Sequence, residues 1–163
     1  TGDFVYVPSG TIHALNKGIM VLETQQSSDT TYRLYDYDRT DAQGNKRELH
    51  LQQSIDTTTV PSVDPKLDIQ TEQKDDATIT TFVQAPISPF FSVERIALNG
   101  KLHQTPKAPY TLVSVLKGNG EFTADGKTFP IKKGTHFLIP NQIKAWDFSG
   151  DMEIVTSEPG EEA

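Results

Sequence analysis

Cysteine is absent from the 163 residues, which excludes a disulfide framework and a thiolate metal site and suits a reducing compartment. Long apolar runs are absent too: nothing approaches the roughly 20 residues needed to span a bilayer, and no membrane association is expected. Basic charge is short, with 15 Lys and Arg against 22 Asp and Glu and a net charge of −7. That balance argues against nucleic acid, whose binding needs a basic footprint. It leaves open a phosphorylated small molecule, which one or two local cations can hold. The chain also opens on Thr1-Gly2-Asp3 with no initiator methionine, apparently mid-strand, so a fragment of a longer protein is expected.

What is present is turn and strand chemistry. Eleven glycines and ten prolines punctuate short runs rich in Thr, Val, Ile and Phe, the composition of an all-β protein. Residues 1–39 read as strands and turns: an alternating segment to Val7, the Pro8-Ser9-Gly10 turn, a strand from Thr11, the Asn16-Lys17-Gly18 turn with its hairpin partner Ile19–Gln26, then extended alternation over Tyr32–Arg39. Glu48–Thr57 is the best helix, with Leu51 and Ile55 one turn apart. Residues 60–76, with two prolines and little periodicity, read as a linker. Strands resume from Ala77, separated by breaks at Asn99-Gly100, Gly118-Asn119-Gly120, Asp125-Gly126 and Lys133-Gly134; Asp125-Gly126 is a strong hairpin signal. The acidic EPGEEA end reads as a solvated tail.

The two parts echo one another. Gly2 precedes Pro8 as Gly134 precedes Pro140, with alternating apolar residues between, and Ile12-His13-Ala14 has an offset counterpart in Ile143-Lys144-Ala145. This suggests two copies of one β-module, the second with Lys144 where the first has His13. By residue type alone His13, just inside a strand after a tight turn, is either a satisfied core histidine or a metal ligand.

Gly2-x5-Pro8-x-Gly10-x2-His13 resembles the second signature of the cupins, with the familiar asparagine one position early at Asn16. The run Gln26-Ser27-Ser28-Asp29-Thr30-Thr31-Tyr32-Arg33-Leu34-Tyr35-Asp36-Tyr37-Asp38-Arg39, with Val21-Leu22-Glu23 before it, resembles the type I mannose-6-phosphate isomerases, most of all their short bacterial form. The resemblance implies cupin-type double-stranded β-helix (jelly-roll) modules, the first incomplete, with one short helix. It divides the chain into residues 1–59, the end of a catalytic module; 60–76, a linker; and 77–163, a degenerate, non-catalytic module. It makes His13 the last zinc ligand, Arg33 the active-site arginine and Glu23 an active-site glutamate, the other ligands lying upstream in a missing N-terminal half. A sugar phosphate is then the substrate, the cytoplasm the location, and self-association of the open module is expected.

The chemistry suits such residues. Moving a proton between C1 and C2 of a sugar passes through an enediolate, whose charge a metal ion or an arginine fork can stabilise while a carboxylate carries the proton. The plainer readings are that Arg33 is a surface arginine pairing with Asp36 or Asp38 and that Glu23 is a solvated strand residue. His50 reads as exposed on the helix, His103 as a loop residue and His136 as structural, with no metal site between the last two. Alternatives to the isomerase are another metal-dependent cupin such as an oxygenase, or a metal-free sugar-binding or regulatory cupin.

Overall fold

A computed structural model describes residues 2–162. The chain divides into two compact units: Thr1–Leu22 with Ser27–Pro65, and Glu23–Gln26 with Lys66–Ala163.

Among the described residues the second unit carries all the regular strands: β1 (Gln70–Lys74), β2 (Ala77–Val83), β3 (Phe91–Gln104), β4 (Tyr110–Ala124), β5 (Lys127–Lys132), β6 (His136–Pro140) and β7 (Trp146–Pro159). They form one antiparallel sheet in the order β1-β2-β3-β7-β4-β5, and β6 pairs with the first part of β4 (Tyr110–Ser114) while β5 pairs with its last part (Asn119–Ala124). β7 lies between β3 and β4 along its length, so the chain's last strand closes the centre. Alternation gives this sheet its inner face: Ile79, Ile96, Leu98, Leu102, Val113, Val115, Ile139, Met152 and Ile154 are buried. Phe122 sits among the rings of Phe129, Phe137 and Phe148 at centroid separations of 5.0–6.3 Å.

Two expected breaks are not breaks. β3 runs through Gly100 and β4 through Gly118 and Gly120, and β7 likewise runs through Gly150. Gly100 pairs with Gly150, which pairs with Gly120, so three glycines line up across the sheet. A Cβ on Gly150 would come within 2.6 Å of the Asn119 oxygen and the Gly120 Cα. Glycine therefore marks close backbone approach inside long strands here. The Asp125-Gly126 expectation holds: both residues have positive φ, +49° and +73°, as a two-residue hairpin requires.

The segment expected as a linker contains β1. Lys74 pairs with Ala77 across Asp75-Asp76, and Asp75 takes a φ of +51°. The two aspartates stabilise more than the turn, because their carboxylates accept the Lys101 and His103 N–H groups of β3, each at 2.9 Å. Low hydrophobicity concealed this strand; its residues are mostly exposed.

The first unit is built differently. Among its described residues there is no strand ladder, only an isolated bridge between Thr40 and Lys46, and the strands expected in residues 2–39 do not form as ladders. A strand is defined by its ladder, and these segments enter none among the described residues. Tyr37 and Asp38 are not extended either: both have positive φ, +53° and +55°, and Arg39 N–H closes a turn onto the Asp36 carbonyl at 3.0 Å. The helix α1 covers Leu51–Thr57, three residues shorter than expected. Leu51 and Ile55 are 52% and 67% exposed, and Ser54 is the buried residue. The Thr59 N–H beyond the helix donates to the Gly10 carbonyl at 2.9 Å, which ties α1 to the Pro8-Ser9-Gly10 turn. No helix of the described residues is long and apolar enough to cross a membrane.

Candidate functional site

His13 follows the turn in which the Thr11 N–H donates to the Pro8 carbonyl at 3.2 Å. Its Nδ1 stands 2.9 Å from the Thr11 carbonyl oxygen. A carbonyl only accepts, so Nδ1 carries the hydrogen and the neutral ring offers its lone pair at Nε2. A backbone carbonyl on one ring nitrogen is how a metal-ligating histidine is oriented. The side chain is exposed rather than a satisfied core histidine. The echo extends to this turn, since Ile143 N–H donates to the Pro140 carbonyl at 3.0 Å. Counted from the two prolines, however, Ala145 rather than Lys144 stands where His13 does. Lys144 is exposed and donates to the Asn141 carbonyl at 2.7 Å.

Arg33 is half-buried and held at both ends. Its Nη1 donates to the Glu48 carbonyl at 3.2 Å, its N–H donates to His50 Nδ1 at 3.0 Å, and its carbonyl accepts the His50 N–H at 2.8 Å. The aspartates that a surface arginine would have used are taken. Arg47 Nε donates to Asp36 Oδ2 at 2.7 Å while its Nη2 reaches Oδ1, and Lys46 Nζ pairs with Asp38 at 2.7 Å. The Arg47 hydrogen bond, joined by the charges of Arg47, Arg33 and Arg39 and opposed by burial, holds the Asp36 carboxyl below its ordinary range. Asp41 closes the loop tip by accepting the Gln43 and Asn45 N–H groups, each at 2.9 Å, and the Asn45 contacts pull its pKa down. Residues 33–50 thus form a stapled loop that presents the free donors of Arg33.

Glu23 is exposed, and its carboxylate has no hydrogen bond or ion pair among the described residues. It groups with the second unit, whereas His13 and Arg33 belong to the first. Sequence reasoning misplaced His50, which stands at the N-cap position of α1, is half-buried and holds Arg33. No spacing along the chain signals this contact, which joins residues 17 positions apart. His103 lies on β3, not in a loop, and pairs with Asp147 at 2.8 Å; His136 on β6 contacts Ser114 Oγ at 2.9 Å. Among the described residues no group of three or more His, Asp or Glu side chains is arranged to hold a metal ion.

Residues 78–159 match the family model for the cupin domain of mannose-6-phosphate isomerase. The chain belongs to the mannose-6-phosphate isomerase family. It is 49% identical over 164 residues to the mannose-6-phosphate isomerase of Streptococcus mutans, an alignment covering 98% of this chain and 49% of that protein. A mannose-6-phosphate isomerase of Bacillus subtilis is 45% identical over 156 residues, covering 96% of this chain and 49% of its own length. The crystal structure of the mannose 6-phosphate isomerase from Bacillus subtilis aligns with a TM-score of 0.74 at 39% identity, over 82% of this chain and 41% of that one. The fold is accordingly the all-β cupin fold with one short helix, as the resemblance implied. The chain spans about half the length of the curated relatives it matches.

Proposed function

We propose that this chain is the C-terminal part of an enzyme interconverting mannose 6-phosphate and fructose 6-phosphate in the cytoplasm. The observation that carries the reading is the 49% identity across 98% of the chain to a mannose-6-phosphate isomerase. Residues 1–59 would complete a catalytic module together with an N-terminal half of the same protein, and residues 77–163 would form a non-catalytic module. The filled apolar interior of the second unit supports the latter assignment.

The donor chemistry of the first unit fits a zinc ligand in His13, whose Nε2 lone pair is left free by the Thr11 carbonyl. One histidine is not a site, so the remaining ligands are assigned to the N-terminal half. Zinc, when bound, supplies Lewis-acid stabilisation of negative charge on sugar oxygens. Arg33 offers its fork to the oxyanion of the enediolate or to the phosphate. Glu23, brought to the substrate in the complete protein, carries the proton between C1 and C2.

In the full-length, zinc-loaded protein Arg33→Lys keeps the charge but loses the fork. A lost contact of roughly 3 kcal/mol lowers the rate about a hundredfold at unchanged zinc content. Activity near wild type would return Arg33 to the surface. The 163 residues alone should be inactive, bind zinc weakly and self-associate through exposed apolar chain, and mixing with the separately made N-terminal half should restore activity and bound zinc. Isomerase activity in the highly purified chain alone would overturn the mechanism.

A further inference from the structure

His50 occupies the N-cap of α1, where Ser, Thr, Asp or Asn normally turns an oxygen onto the first helical N–H groups. Its side chain makes no capping bond. The ring instead accepts the Arg33 N–H at Nδ1, 3.0 Å away, across a loop of 17 positions. An N–H can only donate, so Nδ1 is the lone-pair nitrogen and the neutral ring carries its hydrogen on Nε2. The return bond from the His50 N–H to the Arg33 carbonyl, at 2.8 Å, makes the contact a two-point clamp. The Glu48 backbone carbonyl, two residues earlier, accepts a hydrogen bond from Nη1 of the same arginine at 3.2 Å. The helix thus surrenders its own cap, and its first expected turn, to hold residue 33.

We propose that His50 is a positioning residue for Arg33, its neutral Nδ1 fixing the arginine backbone so that the fork is in place before charge develops on the sugar. The inference rests on the isomerase reading and on the role given there to Arg33. Preorganised donors stabilise a transition state because they need no reorganisation when charge appears, and small misplacements remove much of that benefit. Without the ring nitrogen the Arg33 N–H loses its acceptor, and one point of the clamp is gone.

The test compares two replacements in the full-length, zinc-loaded protein. His50→Leu keeps bulk and removes the acceptor; His50→Asn places Oδ1 where Nδ1 stood, the same number of bonds from Cβ. His50→Leu should lower kcat about tenfold at unchanged zinc content, and His50→Asn should recover most of the loss. Added to Arg33→Lys, His50→Leu should cost little more, because the group it positions is already gone. Wild-type kcat in His50→Leu, an equal loss in His50→Asn, or full additivity with Arg33→Lys would each overturn the proposal. Ring-nitrogen NMR of the wild-type protein covers the case in which His50→Leu does not fold: hydrogen on Nε2 with a bare Nδ1 supports the clamp, and hydrogen on Nδ1 overturns it. An inactive wild-type protein, or an Arg33→Lys variant with full activity, strikes the underlying reading and the proposal with it. The nitrogen spectrum separates that failure from a missing His50–Arg33 bond.

Discussion

Two regions of one chain use similar residues to opposite effect. In the second unit the alternating apolar residues disappear from solvent: Ile154 is 0% and Phe148 is 1% exposed. In the first unit the same pattern leaves Met20 97%, Val5 76% and Ile12 64% exposed. Alternation therefore specifies which side chains share a face, and only a paired strand with a covering layer turns that face into a core. What order the first unit has comes from short-range devices instead: the Arg33–His50 clamp, the Asp36–Arg47 pair, the Asp41 turn and the helix end tied to Gly10. Such polar staples fix a loop's path without burying much surface, which is what a solvent-facing arginine needs.

The comparison can be sharpened by mutation. The largest effect should come from Phe148→Ala, which empties the centre of the second unit and should cost about 4 kcal/mol in denaturant unfolding of that unit. A cost under about 1 kcal/mol would mean that this core is not the source of its stability. Next is Gly118→Ala. The residue has a φ of +74°, and a Cβ there would fall on the Asp151 carbonyl oxygen and stand 2.9 Å from the Met152 Cα. About 3 kcal/mol should be lost, read as a drop in melting temperature. Gly18 in the first unit has a similar φ of +88° but nothing within 4 Å. Gly18→Ala should therefore cost about 1 kcal/mol, so near-equal losses at the two glycines would break the contrast.

A smaller, pH-dependent effect belongs to the first unit. The Asp36 carboxyl is held below its ordinary value of 3.8, chiefly by the Arg47 hydrogen bond. Its contribution is complete above that ordinary value and disappears as pH falls through the lower folded value. The melting difference between wild type and Asp36→Asn should therefore be widest near neutrality and close in acid. A gap that stays constant with pH would remove the ion pair from the list of staples. The smallest effect expected of the isolated chain is that of Ile12→Ala, under about 0.5 kcal/mol for so exposed a side chain. If the proposed N-terminal half covers that face, the same substitution in the full-length protein should cost about 2 kcal/mol, and an unchanged cost would tell against the assembly.

The sequence by itself determined the all-β class, the Asp125-Gly126 hairpin, the strand-rich character of the later residues and, through the residues around His13 and Arg33, the family. These are local or near-local properties: turn residues act through their own φ, and alternation is a period of two along one strand. Tertiary structure decided the rest. Gly100 and Gly120 read as strand ends and proved to lie inside strands, because their reason for being glycine is a group distant in sequence, the Asp76 side chain at Gly100 and the Ser149 carbonyl at Gly120. β1 was hidden in a polar segment because its partner β2, rather than its own hydrophobicity, makes it a strand. The strands expected in residues 1–39 had the pattern and, among the described residues, join no ladder. His50 was legible as a helix residue but not as the ring that holds Arg33, since a hydrogen bond across 17 positions is set by how the loop closes and not by any spacing along the chain.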